Sequence, residues 1–114
     1  MSDKVALITG VGPGTGSSLA RRFSSGGYKV AMIARDKSRL KLLEDELDFS
    51  KGYSCELRNP ELLNNTIDEI IKDFGCPDVF IHNAVRGTRG NFLEFTPDEL
   101  QSNFDINVLA LHRI

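Results

Sequence analysis

The chain has 114 residues, 40% hydrophobic and 26% charged, with a formal net charge of -2 at pH 7. This is ordinary globular composition, long enough to close one core. There is no basic stripe or aromatic ladder, and no apolar span is long enough for a bilayer, so neither a nucleic-acid nor a membrane partner is expected. Met1-Ser2-Asp3-Lys4 leads straight into the first apolar run without the pattern of a signal peptide. Cys55 and Cys76 fit no metal or redox spacing, and both read as reduced core thiols of a cytoplasmic protein.

In chain order, Val5 to Thr9 is a short apolar run that predicts a buried strand, and glycines end it abruptly. A helix is expected from about Gly16 to Ser25, burying Leu19, Ala20 and Phe23, with Gly26-Gly27 as its stop. Lys29 to Ala34 is nearly all apolar, as in a parallel strand covered on both faces. Asp36 can cap a second helix whose Leu40, Leu43 and Leu47 share a stripe. A weaker third strand is expected around Tyr53 to Leu57. Asn59-Pro60 reads as N-cap and first helical residue, and Leu63, Ile67, Ile70, Ile71 and Phe74 form the inner face of the third helix up to Gly75 and Pro77. Asp78 to His82 is the fourth strand, followed by a loop with Gly87 and Gly90. Thr96-Pro97-Asp98-Glu99 has the form of a capping box, and Leu100, Phe104, Val108 and Leu111 carry one helix to Ile114.

Four β-α units predict an α/β fold: a doubly wound, Rossmann-like parallel sheet of order 3-2-1-4, in one domain over residues 1–114. Ligands of such sheets lie at the carboxyl ends of the strands. Here those ends carry Gly10-Val11-Gly12-Pro13-Gly14-Thr15-Gly16, four glycines within seven residues. An ordinary turn needs fewer. Glycine lets a ligand approach the backbone, and the N-terminus of the following helix, with its free N–H groups and positive dipole end, suits a pyrophosphate.

The spacing is not G-x-G-x-x-G. Thr9-Gly10, three residues, Gly14, one residue, Gly16 resembles the glycine motif of the short-chain dehydrogenase/reductase family. His82-Asn83-Ala84-Val85 is similar to the family's N-N-A-G after strand four, matching at Asn83 and Ala84 and departing at His82 and Val85. The resemblance implies a nicotinamide dinucleotide held by Gly10, Gly12, Pro13, Gly14, Thr15 and Gly16, with Asn83 and Ala84 alongside. Where the family commonly places an acid after strand two, Ala34 stands, followed by Arg35. Arg35 could pair with a 2′-phosphate, which implies NADP(H) in preference to NAD(H), against the alternatives that Arg35 is a solvated loop charge with Asp36 capping the helix, or that Asp36 swings back and changes the sign of the pocket. Glu56, with Leu57, occupies the place of a family aspartate that contacts adenine; it reads equally as a surface acid. Asn107 resembles the asparagine of the family's catalytic tetrad, against the plainer reading of an exposed helical asparagine. His82 and His112 read as structural or exposed rather than as metal ligands.

The resemblance covers only the family's coenzyme-binding half. The family's catalytic serine and Y-x-x-x-K are not found, because neither Tyr28 nor Tyr53 has lysine four residues on. The expectation is the NADP(H)-binding portion of an oxidoreductase acting on an alcohol or carbonyl substrate, truncated before its catalytic segment and inactive as it stands. A free edge on strand four and an uncovered stripe on the last helix would favour a homo-oligomer. The alternatives are a non-catalytic nucleotide-sensing module and an interaction protein with a vestigial glycine loop.

Overall fold

The computed structural model describes residues 4–85 and 90–114; Met1, Ser2, Asp3 and the loop residue Gly87 lie outside them. Strands β1 (Val5–Thr9), β2 (Lys29–Ala34), β3 (Ser50–Ser54) and β4 (Val79–His82) pair in parallel in the order β3-β2-β1-β4. All five residues of β1 are buried, as a central strand between two helical layers requires. On one face, Ile8, Val30 and Met32 pack under α1 (Thr15–Ser25) and α2 (Lys37–Glu46) through Ala20, Leu40 and Leu43. On the other, Leu7, Ala31 and Ile33 meet Leu63 and Ile70 of α3 (Pro60–Phe74), and Ala110 near the end of the chain.

The expected caps form. The Asp36 carboxylate accepts from the Arg39 N–H, Asn59 from those of Glu61 and Leu62, and Thr96 from that of Glu99 at the start of α4 (Pro97–Phe104). Gly27, just beyond α1, has φ 90°, the left-handed conformation that stops a helix.

Four expectations need correction. The third strand is Ser50–Ser54, three residues earlier than Tyr53 to Leu57. It is a sheet edge with one buried side chain, Tyr53, so it carries little apolar pattern. Its Gly52 lies under Leu40, where an added Cβ would come within 2.6 Å of the Leu40 Cβ, and its N–H is met by the Glu44 carboxylate at 2.6 Å. Cys55 to Leu57 instead leave the strand and run on as irregular chain. Second, Ile71 is 45% exposed and not on the inner face of α3; buried Thr66 takes a place there, its hydroxyl bonded to the Leu62 carbonyl. Third, Cys76 is exposed, and only Cys55 is a core thiol.

The fourth concerns the last helix, which is not continuous. A π-helical turn, Asp105–Leu109, separates α4 from α5 (Ala110–Arg113), and a 3-10 turn, Phe92–Glu94, precedes them. Ile106 and Ala110 are the residues turned inward. Leu100, Phe104, Val108 and Leu111 are each between 41% and 49% exposed, the uncovered stripe anticipated for this helix.

Candidate functional site

The glycine loop divides into residues that build it and residues that leave it open. At the end of β1 the chain turns through Gly10 at φ 71°, with the N–H of Gly10 donating to the Ile33 carbonyl at 3.0 Å. A Cβ there would lie 2.5 Å from the Ala84 N and 2.6 Å from its Cα, so Gly10 is what lets β4 run past the loop. Gly16, buried in the first turn of α1, packs on the Gly10 carbonyl, and a Cβ would come within 2.7 Å of the Val11 Cα. The Ser17 hydroxyl donates to the Gly12 carbonyl and ties the helix back to the loop.

Gly12 and Gly14 differ, because a Cβ at either would meet no atom within 4 Å. Gly14 is the N-cap of α1 and has no side chain to close the helix end, and Pro13, Gly14 and Thr15 are exposed. The first N–H groups of α1 have no carbonyl one turn back to bond; Thr15 there is exposed, while Gly16 and Ser17 are buried. The loop combines a closely packed base with an accessible rim.

Beside the loop lies a cleft of about 390 Å³ at the carboxyl ends of the strands. Gly10, Gly12, Arg35, Glu56, Leu57, Asn83 and Ala84 line it. Pro13, Gly14 and Thr15 stand outside the lining, on the rim, and Gly16 is buried beneath it. Arg35 leaves β2 with its side chain 72% exposed, and its Nη1 is 3.7 Å from Glu56 Oε2. Arg58 holds the other carboxylate oxygen of Glu56 at 3.4 Å and donates to Ser102 Oγ of α4 at 3.0 Å. Glu56 thus sits between two guanidinium groups, and Arg35, being loosely paired and solvated, is free to take another anion. Asp36 also lines the cleft, but its carboxylate is engaged as the cap of α2 at 3.2 Å from the Arg39 N.

The opposite wall follows β4. The Asn83 side-chain amide donates to the Gly10 carbonyl at 3.1 Å, so the segment after β4 is stitched to the glycine loop. Thr9 and His82 are register partners at the ends of β1 and β4, with Thr9 Oγ1 2.9 Å from His82 Nδ1. The Ala84 N–H donates to the same hydroxyl at 3.1 Å, and His82 Nε2 lies 2.8 Å from the Ile106 carbonyl in the π turn. That turn brings the Ile106 side chain into the cleft lining, whereas Asn107, next in sequence, is half-buried and lies outside the lining.

Val11, Ile33, Cys55 and Ile106 also line the cleft without having been expected there, as do Ala34 and Val85, which the sequence marked only as departures from the family's pattern. Val11, Ile33, Cys55 and Ile106 are apolar or weakly polar, and in the sequence they cannot be told from core. For Cys55 burial, acting first, raises the thiol pKa above its ordinary value, so it meets the cleft as a neutral group. The signal that could have found Ile106 is Asn107 beside it, a poor helix former in mid-helix at the place where the helix departs from α geometry.

Comparison with known proteins gives the same picture. A sequence profile described as short chain dehydrogenase matches residues 4–114. "Probable 2,4-dienoyl-CoA reductase 3 [(3E)-enoyl-CoA-producing]" of Caenorhabditis elegans is 35% identical over 102 residues, covering 84% of this chain and 32% of that protein. A metagenomic short-chain oxidoreductase crystallised in complex with NADP superposes with a TM-score of 0.92 at 26% identity, over 99% of this chain and 53% of that one. The 3-ketoacyl-(acyl-carrier-protein) reductase from Brucella melitensis complexed with NADH gives 0.88 at 28% identity, over 96% and 46%. The chain spans between a third and about half of the length of these relatives. With the glycine loop, the 3-2-1-4 sheet and a profile match over nearly its whole length, this chain belongs to the short-chain dehydrogenase family.

Proposed function

We propose that this chain is the NADP(H)-binding portion of an oxidoreductase that moves a hydride between the nicotinamide ring and an alcohol or carbonyl substrate. The observation that carries the reading is the open rim of the glycine loop. Side chains at Gly12 and Gly14 would meet nothing, so the space over the first turn of α1 is available to a ligand's phosphates. The N–H groups of the first helical turn, which lack a carbonyl one turn back, and the positive end of the helix dipole favour an anion there.

The chain's residues fit that cofactor in named roles. Gly12, Pro13, Gly14 and Thr15 form the rim against the pyrophosphate, over a base that Gly10 and Gly16 keep tightly packed. Arg35 pairs with the 2′-phosphate of the adenosine ribose, leaving Glu56 to Arg58; a guanidinium forks onto a phosphate with two charge-assisted bonds. Glu56 and Leu57 flank the adenine, and Asn83 and Ala84 border the dinucleotide along β4. Asn107 acts from the π turn as the asparagine of the family's catalytic group. When bound, the nicotinamide supplies or accepts the hydride at its C4. The reading also assigns the exposed stripe of the last helices to contact with a second copy of the chain.

The wild-type chain and one variant, each measured against two cofactors, test it. NADPH should bind the chain more tightly than NADH, and Arg35→Glu should cost NADPH about tenfold or more in Kd while leaving NADH nearly unchanged. Equal affinity for both cofactors in the wild-type chain would remove Arg35 from this role. No saturable binding of either would refute the cofactor reading as a whole.

A further inference from the structure

His82 stands where the resemblance leads one to expect asparagine, and its ring makes bonds on both sides. It projects from β4 onto the face that carries α3 and the last helices, the face on which Leu7 and Phe80 also pack. There it spans the gap between the end of β1 and the π turn, from Thr9 Oγ1 at 2.9 Å to the Ile106 carbonyl at 2.8 Å.

For the neutral ring, the partners fix the direction of every hydrogen bond. A carbonyl only accepts, so Nε2 carries a proton and donates it to Ile106. Thr9 is fully buried, and its hydroxyl oxygen already accepts from the Ala84 N–H. With its one proton on Nε2, the neutral ring has a bare Nδ1, which accepts the Thr9 hydroxyl proton. The chain of donors runs Ala84 N–H to Thr9 O–H to His82 to Ile106, and every member is satisfied.

The π turn alters the donors around the Ile106 carbonyl. In an α-helix the Ala110 N–H would bond to the Ile106 carbonyl, four residues back. Here it reaches five residues back, to the Asp105 carbonyl. The imidazole Nε2 meets the Ile106 carbonyl, which the Ala110 N–H has left. We propose that His82, as the Nε2–H tautomer, is a positioning residue that holds the π turn open and so sets Ile106 in the cleft wall with Asn107 beside it. Its geometry stands independently of the nucleotide-binding reading; only its consequence for cofactor affinity rests on that reading.

The first test needs no substitution. The chain contains two histidines, and His112→Gln separates their signals. Long-range ¹H–¹⁵N correlation of the His82 ring should show a protonated Nε2 and an unprotonated, hydrogen-bonded Nδ1. The Nδ1–H tautomer, or an even mixture of the two, overturns the proposal. The second test uses His82→Phe, which keeps a ring of similar size and removes both bonds. The Ile106 carbonyl ¹³C resonance should move away from its wild-type position, and Kd for NADPH should rise about tenfold. His82→Gln, whose amide offers an acceptor beside a donor, should bring the affinity back to within about threefold of wild type. A folded His82→Phe chain with an unmoved Ile106 carbonyl refutes the positioning role, as does a folded His82→Gln chain that binds no better than His82→Phe. If the wild-type chain binds no NADPH, the cofactor reading fails, and the ring tautomer and the Ile106 carbonyl still decide the role of His82.

Discussion

Gly10 and Gly12 are two residues apart in one loop, yet the structure gives them separable work, and alanine at each should expose it. At Gly10, alanine must adopt φ 71°, a left-handed conformation that costs an L-residue roughly 1–2 kcal/mol. Its Cβ must also stand 2.5 Å from the Ala84 N, and the obstacle is backbone at the end of a central strand, not a side chain that can swing aside. Overpacking of this kind costs about 1–3 kcal/mol, and the stiffer unfolded chain returns roughly 0.4–1 kcal/mol. The net expectation for Gly10→Ala is a loss of about 2–4 kcal/mol. In a domain of this size each kcal/mol lowers Tm by about 4–8 °C. At Gly12 the added methyl meets no atom within 4 Å, so stability should stay within about 1 kcal/mol of wild type. That methyl does enter the rim proposed for the pyrophosphate, and Kd for NADPH should rise by about tenfold. The chain has no tryptophan, so urea unfolding is best followed by far-UV circular dichroism and binding by the emission of NADPH itself. A Gly10→Ala chain within about 1 kcal/mol of wild type would show that β4 does not press on the loop. A Gly12→Ala chain that binds NADPH as tightly as wild type would show that the rim is not where phosphates sit.

Two further outcomes are expected. Burial first, and then its hydrogen bond to Asp73 at 2.7 Å, raise the Tyr53 phenol pKa well above its ordinary value. The stability this contributes is fully present below the unfolded value of about 10 and is lost as pH rises beyond it. The urea midpoint of the wild-type chain should therefore fall between pH 9 and pH 11.5 more steeply than that of Tyr53→Phe, and parallel curves would refute the coupling. On the exposed stripe, Phe104 and Val108 are 49% and 47% accessible. Sedimentation equilibrium should find the wild-type chain self-associated and Phe104→Glu/Val108→Glu shifted toward monomer; an unchanged mass would exclude this stripe as the contact.

Much of the architecture could be read locally. β1 and β2 are apolar runs whose residues are buried on both faces, so hydrophobicity alone marks them. Asp36, Asn59-Pro60 and Thr96-Pro97 mark helix starts because a cap bonds to N–H groups within its own first turn, a contact between sequence neighbours. The glycine pattern located the loop for a similar reason, since close backbone approach leaves few other residue types possible.

What the chain could not announce were features set by distant partners. β3 is polar because an edge strand buries few side chains, and its place is secured by β2, Leu40 and Glu44, which lie elsewhere in the sequence. Ile71 follows helical spacing and yet faces outward, since which apolar residues are covered depends on where the sheet ends. The π turn at Asp105–Leu109 has no local signature beyond Asn107, and it is met from 24 residues away by the ring of His82. Sequence alone determined the order of the elements, because period, caps and glycines act over a few residues. Tertiary structure alone decided which glycines bear load, which apolar residues wall the cleft and what bonds His82 makes, because each depends on an atom brought close only when the sheet assembles.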